Sequence, residues 1–173
     1  MRMPSGASSW SFTEEDATAL TQVLQRFLFD SSARCALLVD RSGQLVTYAG
    51  DRPTFDVTAF ATLTAADFSA NDQLARLIGE SEFNTLFHQG ERESMLLADV
   101  ARRVILVALF DNRTTLGLVR LKMRGIVDEV GRLIERSLQR SLQRSLAQPP
   151  GSADGAKPPL LGDVDDEIDR LFR

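Results

Sequence analysis

Every position from Val104 to Phe110 is apolar. A strand that does not alternate buries both of its faces, so this segment is expected in the middle of a sheet. Cys35-Ala-Leu-Leu-Val39 is a second unbroken apolar run. Asp40-Arg-Ser-Gly43 follows it, where glycine can supply the positive φ of a hairpin turn, and then Leu45, Thr47 and Ala49 alternate with Val46 and Tyr48 up to Gly50. Ser94 to Val100 and Val104 to Phe110 are joined by Ala101-Arg102-Arg103, a link short enough to predict a second hairpin. Between Gly79 and Gly90, the polar mixture of Phe83 to Gln89 suits an edge strand, which can pair with a twin.

Helical spacing fills the intervals. Thr13-Glu-Glu-Asp16 resembles a capping box, with Phe12 placed to staple onto Ala17, and Ala17, Leu20, Leu24, Phe27 and Leu28 then form one stripe up to Asp30-Ser31-Ser32. Asp56 or Thr58 can cap a longer helix running to Ile78 and closed by Gly79. At about 100° per residue, Val57, Phe60, Leu63, Thr64, Leu74, Ala75 and Ile78 fall on one side, the expected inner face. Opposite them lie Thr62, Ala65, Ala66, Ser69 and Gln73, small and nearly uncharged where an exposed helix usually carries Lys and Glu. That face reads either as a contact surface for another chain or as a solvent face of short side chains. After a turn at Asp111-Asn112, Thr114 or Thr115 can cap a final helix reaching Leu146, longer than a sheet would cover.

The resulting order is α-β-β-α-β-β-β-α: an α/β (α+β) single domain in which a five-stranded, mainly antiparallel sheet carries helices on both faces. The chain divides into a loose arm at 1–11, the domain at 12–146, a Pro/Gly linker at 147–160 and an acidic amphipathic tail at 161–173. In the tail, Val164, Ile168, Leu171 and Phe172 recur at helical spacing, too short a helix to stand alone in water. It is expected to order by docking in a groove, on a partner or on its own domain.

Composition narrows the function. The 173 residues carry a net charge of −4, so the chain as a whole makes no electrostatic case for nucleic acid. Arg132, Arg136, Arg140 and Arg144 line up at spacing four, a stripe open to acidic protein, anionic lipid or nucleic acid, or simply solvated. No run reaches membrane-spanning length, and Cys35, alone in an apolar strand, reads as a small core residue in a reducing cytoplasm. His88 is the single histidine and has no second ligand or nucleophile near it in sequence. Asp67 and Asn71 sit in an otherwise apolar sector and need hydrogen-bond partners if buried. The nearest approach to a phosphate-binding loop, Gly151-Ser-Ala-Asp-Gly155-Ala-Lys157-Pro158, has the wrong spacing and sits in the linker. No catalytic residue, metal ligand set or cofactor site is expected.

Several stretches carry a resemblance. Ala36-Leu-Leu-Val-Asp-Arg-Ser-Gly-Gln-Leu-Val46, Leu63-Thr-Ala65, Leu74-Ala-Arg-Leu-Ile-Gly-Glu80, Phe83 with Phe87-His-Gln-Gly90, and Leu109-Phe-Asp-Asn-Arg-Thr-Thr-Leu-Gly-Leu-Val-Arg-Leu121 stand in one order. That order resembles the Roadblock/dynein-light-chain superfamily and, within it, the bacterial MglB family. The resemblance implies a homodimer joined through the edge of the third strand, at Phe83, Thr85 and Phe87, with the two middle helices side by side. It implies a regulator that docks a small Ras-like GTPase of the MglA type, through Thr62, Ala65, Ala66, Ser69 and Gln73, and stimulates GTP hydrolysis in cell polarity and motility, in the cytoplasm and at a cell pole. Such a regulator supplies no arginine finger and instead brings the GTPase's own residues into place. Val164, Ile168, Leu171 and Phe172 of the tail would reach a separate site on the GTPase and influence nucleotide exchange. Ser69, Asn71, Asp72 and Gln73 are bulkier or more polar than the Ala and Gly of the family's segment, which leaves open a scaffold that binds without activating.

Overall fold

The computed structural model describes residues 12–147. Eight elements follow in order: α1 (Glu14–Ser31), β1 (Cys35–Asp40), β2 (Leu45–Gly50), α2 (Val57–Leu77), β3 (Thr85–Gln89), β4 (Ser94–Val100), β5 (Val104–Phe110) and α3 (Leu116–Ala147). The sheet runs β2-β1-β5-β4-β3, and all of its pairings are antiparallel. β5 is the centre strand, as its unbroken apolar run demands. Val104, Leu106 and Ala108 pack into the core shared with α1 and α3, while Ile105 and Val107 pack into the core under α2. β1 divides in the same way, with Ala36 and Leu38 on one side and Cys35, Leu37 and Val39 on the other.

Local chemistry fixes the ends. The capping box at Thr13 forms as expected, with Asp16 N donating to Thr13 Oγ1 and Thr13 N donating back to Asp16 Oδ2. Asp56 caps α2 by accepting from Ala59 N at 3.1 Å, and Thr115 Oγ1 accepts from Leu118 N at 3.3 Å at the start of α3. Gly43 takes the left-handed conformation in the β1–β2 turn, and an added Cβ there would lie 3.0 Å from Thr62 Cα. The missing side chain lets this turn approach the α2 backbone.

Two sequence expectations are corrected by packing. The register of β1 with β2 shifts between Leu38 and Val39. This bulge sends Leu45 to the α2 core, while Thr47 hydrogen-bonds Thr21 of α1 and Ala49 joins the core beneath α1. The three therefore do not share a face. The second correction concerns α2. Its buried positions are Ala61, Thr64, Ala65, Phe68, Asn71 and Ala75, whereas Leu63, Leu74 and Ile78 are 68%, 57% and 70% exposed. Small residues on the inner face bring the helix close to the sheet around one large side chain, Phe68. The helix is thus rotated from the orientation that the leucines alone would choose.

Candidate partner-docking surface

α2 presents two different surfaces outward. Thr62, Ala66, Ser69 and Gln73 are exposed on one flank, as the wheel placed them. Ala65 is buried at 8% exposure, so of the five candidate docking residues it alone sits under the helix. The other flank carries Leu63, Leu74 and Leu77, the last 82% exposed, with Ala70 between them on the wheel. Such a row of water-facing leucines is a surface that another chain could cover.

The leucine flank lies toward the β3 edge. Asp67 Oδ2 and His88 Nε2 are 2.7 Å apart, which ties α2 to β3, although the Asp67 side chain is 40% exposed rather than buried. Asn71, one turn further along, is buried with its amide nitrogen unpartnered among the described residues. β3 pairs with β4 on one side and forms the end of the sheet on the other. Of the candidate seam residues, Thr85 is exposed on this edge strand. Phe87 is half-buried against the α1/α3 core and stacks on Phe110 at 6.3 Å between ring centres. Phe83 precedes the strand and lines a cavity of about 590 Å³ together with Met123 and Val127. Of the three only Thr85 is exposed, and it lines the same cavity as Phe83.

On the Thr62–Ser69 flank, charged residues from four separate segments meet. Arg41 Nη1 donates to Asp72 Oδ2 at 2.9 Å, its Nη2 donates to Asp99, and its guanidinium lies 4.9 Å from the Phe68 ring centre. Arg102 donates from Nε and Nη2 to Glu82 Oε2. Sequence reasoning missed this network, because its members are far apart along the chain and no local spacing connects them. The one available signal was the absence of glycine from the tight link at 101–103: Ala101 and Arg102 both adopt positive φ, 53° and 56°.

The remaining candidates are placed as follows. Cys35 is buried, and burial followed by the nearby Asp51 carboxylate pushes its thiol up to about 11, so at neutral pH it is an inert core thiol. Along α3, Arg132, Arg136, Arg140 and Arg144 are exposed. Arg140 nevertheless reaches Asp16, and Arg136 Nε donates to the Arg132 carbonyl at 3.3 Å. Among the described residues no group of His, Cys, Asp and Glu is arranged to hold a metal ion, and no helix is long and apolar enough to cross a membrane. Val164, Ile168, Leu171 and Phe172 lie outside the described residues.

A middle helix over an antiparallel sheet in the order β2-β1-β5-β4-β3 is an arrangement shared with known proteins. The Roadblock/LC7 domain family matches residues 19–110, which spans α1 through β5. The chain belongs to the Roadblock/LC7 family. Among solved structures, Myxococcus xanthus MglB is 42% identical over 73% of this chain and 96% of that one, with a TM-score of 0.69. A gliding protein MglB from Thermus thermophilus is 30% identical over 74% of this chain and 97% of its own, at a TM-score of 0.69. An MglB described as having a tetrameric arrangement is also 30% identical, over 75% and 97%, at a TM-score of 0.70. No curated protein matches the chain. The Roadblock match covers both candidate surfaces of α2, while the arginine stripe of α3 falls beyond it.

Proposed function

We propose that this Roadblock chain is a homodimeric regulator of a small Ras-like GTPase of the MglA type. In this reading the leucine flank of α2 and the open edge of β3 join two copies. That leaves the Thr62, Ala66, Ser69 and Gln73 flank as the docking surface. The observation that carries the reading is the division of α2 into two exposed flanks of different chemistry, one apolar and beside the strand edge, the other of short side chains bordered by a charged network. An apolar flank suits a permanent seam, and short uncharged side chains suit close approach by a second protein.

The docked chain stimulates GTP hydrolysis by orienting the GTPase's own catalytic groups and contributes none itself, acting in the cytoplasm in cell polarity and motility. The tail at 161–173 modulates nucleotide exchange. The polar side chains of Ser69, Asp72 and Gln73 favour a second reading, a scaffold that binds the GTPase without accelerating it. Following GTP hydrolysis by the MglA-type GTPase of the source organism, with and without this chain, separates the two. Acceleration supports the activator, and unchanged hydrolysis with intact binding leaves the scaffold. Ser69→Arg is expected to abolish GTPase binding by calorimetry while the dimer mass in light scattering stays unchanged. Wild-type affinity in that variant removes the docking face.

A further inference from the structure

Beside Ser69 a pocket of about 310 Å³ opens, walled by Arg41, Asp72, Arg76, Glu82 and Arg102. Its hydrogen-bonding inventory is unequal. The lining holds three guanidinium groups against two carboxylates, and both carboxylates are already engaged, Asp72 by Arg41 and Glu82 by Arg102. Arg41 is further occupied by Asp99, behind the pocket. Arg76 and the hydroxyls of Ser69 and Ser81 remain, all lining the pocket and none with a side-chain partner among the described residues. The unused capacity is therefore donor capacity centred on Arg76, while the three guanidinium groups are matched by three carboxylates once Asp99 is counted.

Backbone strain points to the same place. Ala101 and Arg102 hold successive left-handed conformations, which residues with a Cβ adopt at a cost. Asp99 Oδ2 holds the turn by accepting from Arg102 N at 3.0 Å, and the turn directs the Arg102 guanidinium onto Glu82. Arg76 makes no ion pair among the described residues, although Asp72 precedes it by one turn on α2.

We infer that this pocket is a socket for an acidic side chain of the docked GTPase, gripped by Arg76 with the hydroxyls of Ser69 and Ser81. A guanidinium and two hydroxyl donors match the two oxygens of a carboxylate. The volume, at the small end of ligand sites, suits one side chain better than a nucleotide. This socket rests on the docking reading above and adds to it a specific charged contact at one margin of the docking surface.

The test uses the full chain and the MglA-type GTPase of the source organism loaded with a non-hydrolysable GTP analogue, titrated by calorimetry at several salt concentrations. Arg76→Ala is expected to weaken binding about 10-fold and to flatten its salt dependence, and Arg76→Glu about 100-fold, with the dimer mass unchanged in both. An Asp→Lys or Glu→Lys exchange on the GTPase is expected to restore binding to the Arg76→Glu variant and so to identify the captured residue. If Arg76→Ala binds within twofold of wild type while Ser69→Arg abolishes binding, docking stands and the socket falls. If no acidic residue of the GTPase restores the Arg76→Glu variant, the socket also falls. If the unaltered chain fails to bind the GTPase, the docking reading fails first and the socket with it.

Discussion

At the scale of single residues, Asp16 is the clearest case of a side chain whose meaning grows with context. In sequence it is the last residue of a capping box, three positions after Thr13. In the fold it is buried, and it also accepts from Ser137 Oγ at 2.9 Å and from Arg140, so the start of α1 is pinned to α3. Burial alone raises its pKa, but hydrogen bonds from Thr13 and Ser137 and the charge of Arg140 outweigh it and hold the carboxyl below its ordinary value of 3.8. A carboxyl with a lowered folded pKa binds fewer protons folded than unfolded. Its stabilisation is therefore complete above 3.8 and is lost as pH falls through the lower folded value. Asp16→Asn turns an acceptor toward a charged donor into an uncharged amide, and a loss of about 1–3 kcal/mol at pH 7 is expected. Urea unfolding of both proteins from pH 7 to pH 3 checks this, since the gap between them should narrow at the acid end. A gap independent of pH would show that the charge of Asp16 contributes nothing. Gly50 is legible only in three dimensions: a Cβ there would stand 2.3 Å from the Arg34 carbonyl oxygen, which leaves glycine as the residue that fits.

At the scale of elements, the caps and the two hairpins were readable because their information is local. Thr13, Asp56 and Thr115 cap the helices they precede, and the unbroken runs of β1 and β5 are adjacent in the sheet interior. The facing of α2 was not readable. A wheel weighted by large apolar side chains turns Leu63 and Leu74 inward, whereas close contact with the sheet selects Ala61, Ala65 and Ala75 around Phe68. The leucines are left outside, and a prediction follows. Leu63→Glu combined with Leu74→Glu removes two exposed apolar side chains and places like charges along a two-fold seam. The double variant is expected to be folded by circular dichroism, because neither position is buried, and to be monomeric by light scattering. A dimer that survives both changes would move the seam away from α2.

At the scale of the whole molecule, the Roadblock sheet holds the two flanks of α2 in a fixed relation, so that the same helix can serve a seam and a docking face. Asp67 with His88 fixes one flank to the strand edge, and Gly43 with Arg41 fixes the other to the β1–β2 turn. The tail follows the linker at 147–160 in sequence, and its proposed role is separable from docking by truncation. Deleting residues 161–173 is expected to change nucleotide exchange on the GTPase severalfold and to change hydrolysis little, as measured by release of a fluorescent nucleotide and of phosphate. Equal exchange rates with and without the tail would remove its assigned role.

The sequence by itself determined the order of elements, the burial of β5 and β1 and the helix caps, since each depends on neighbours within a few positions and on periods of two or 3.6 residues. It also carried the family resemblance. Only the tertiary structure decided which way α2 faces, what Asp67 meets, and how Arg41, Asp72, Arg76, Glu82 and Arg102 come to wall one pocket. Those features depend on the distance at which a helix settles on a sheet and on contacts between residues far apart in the chain. No local pattern encodes either.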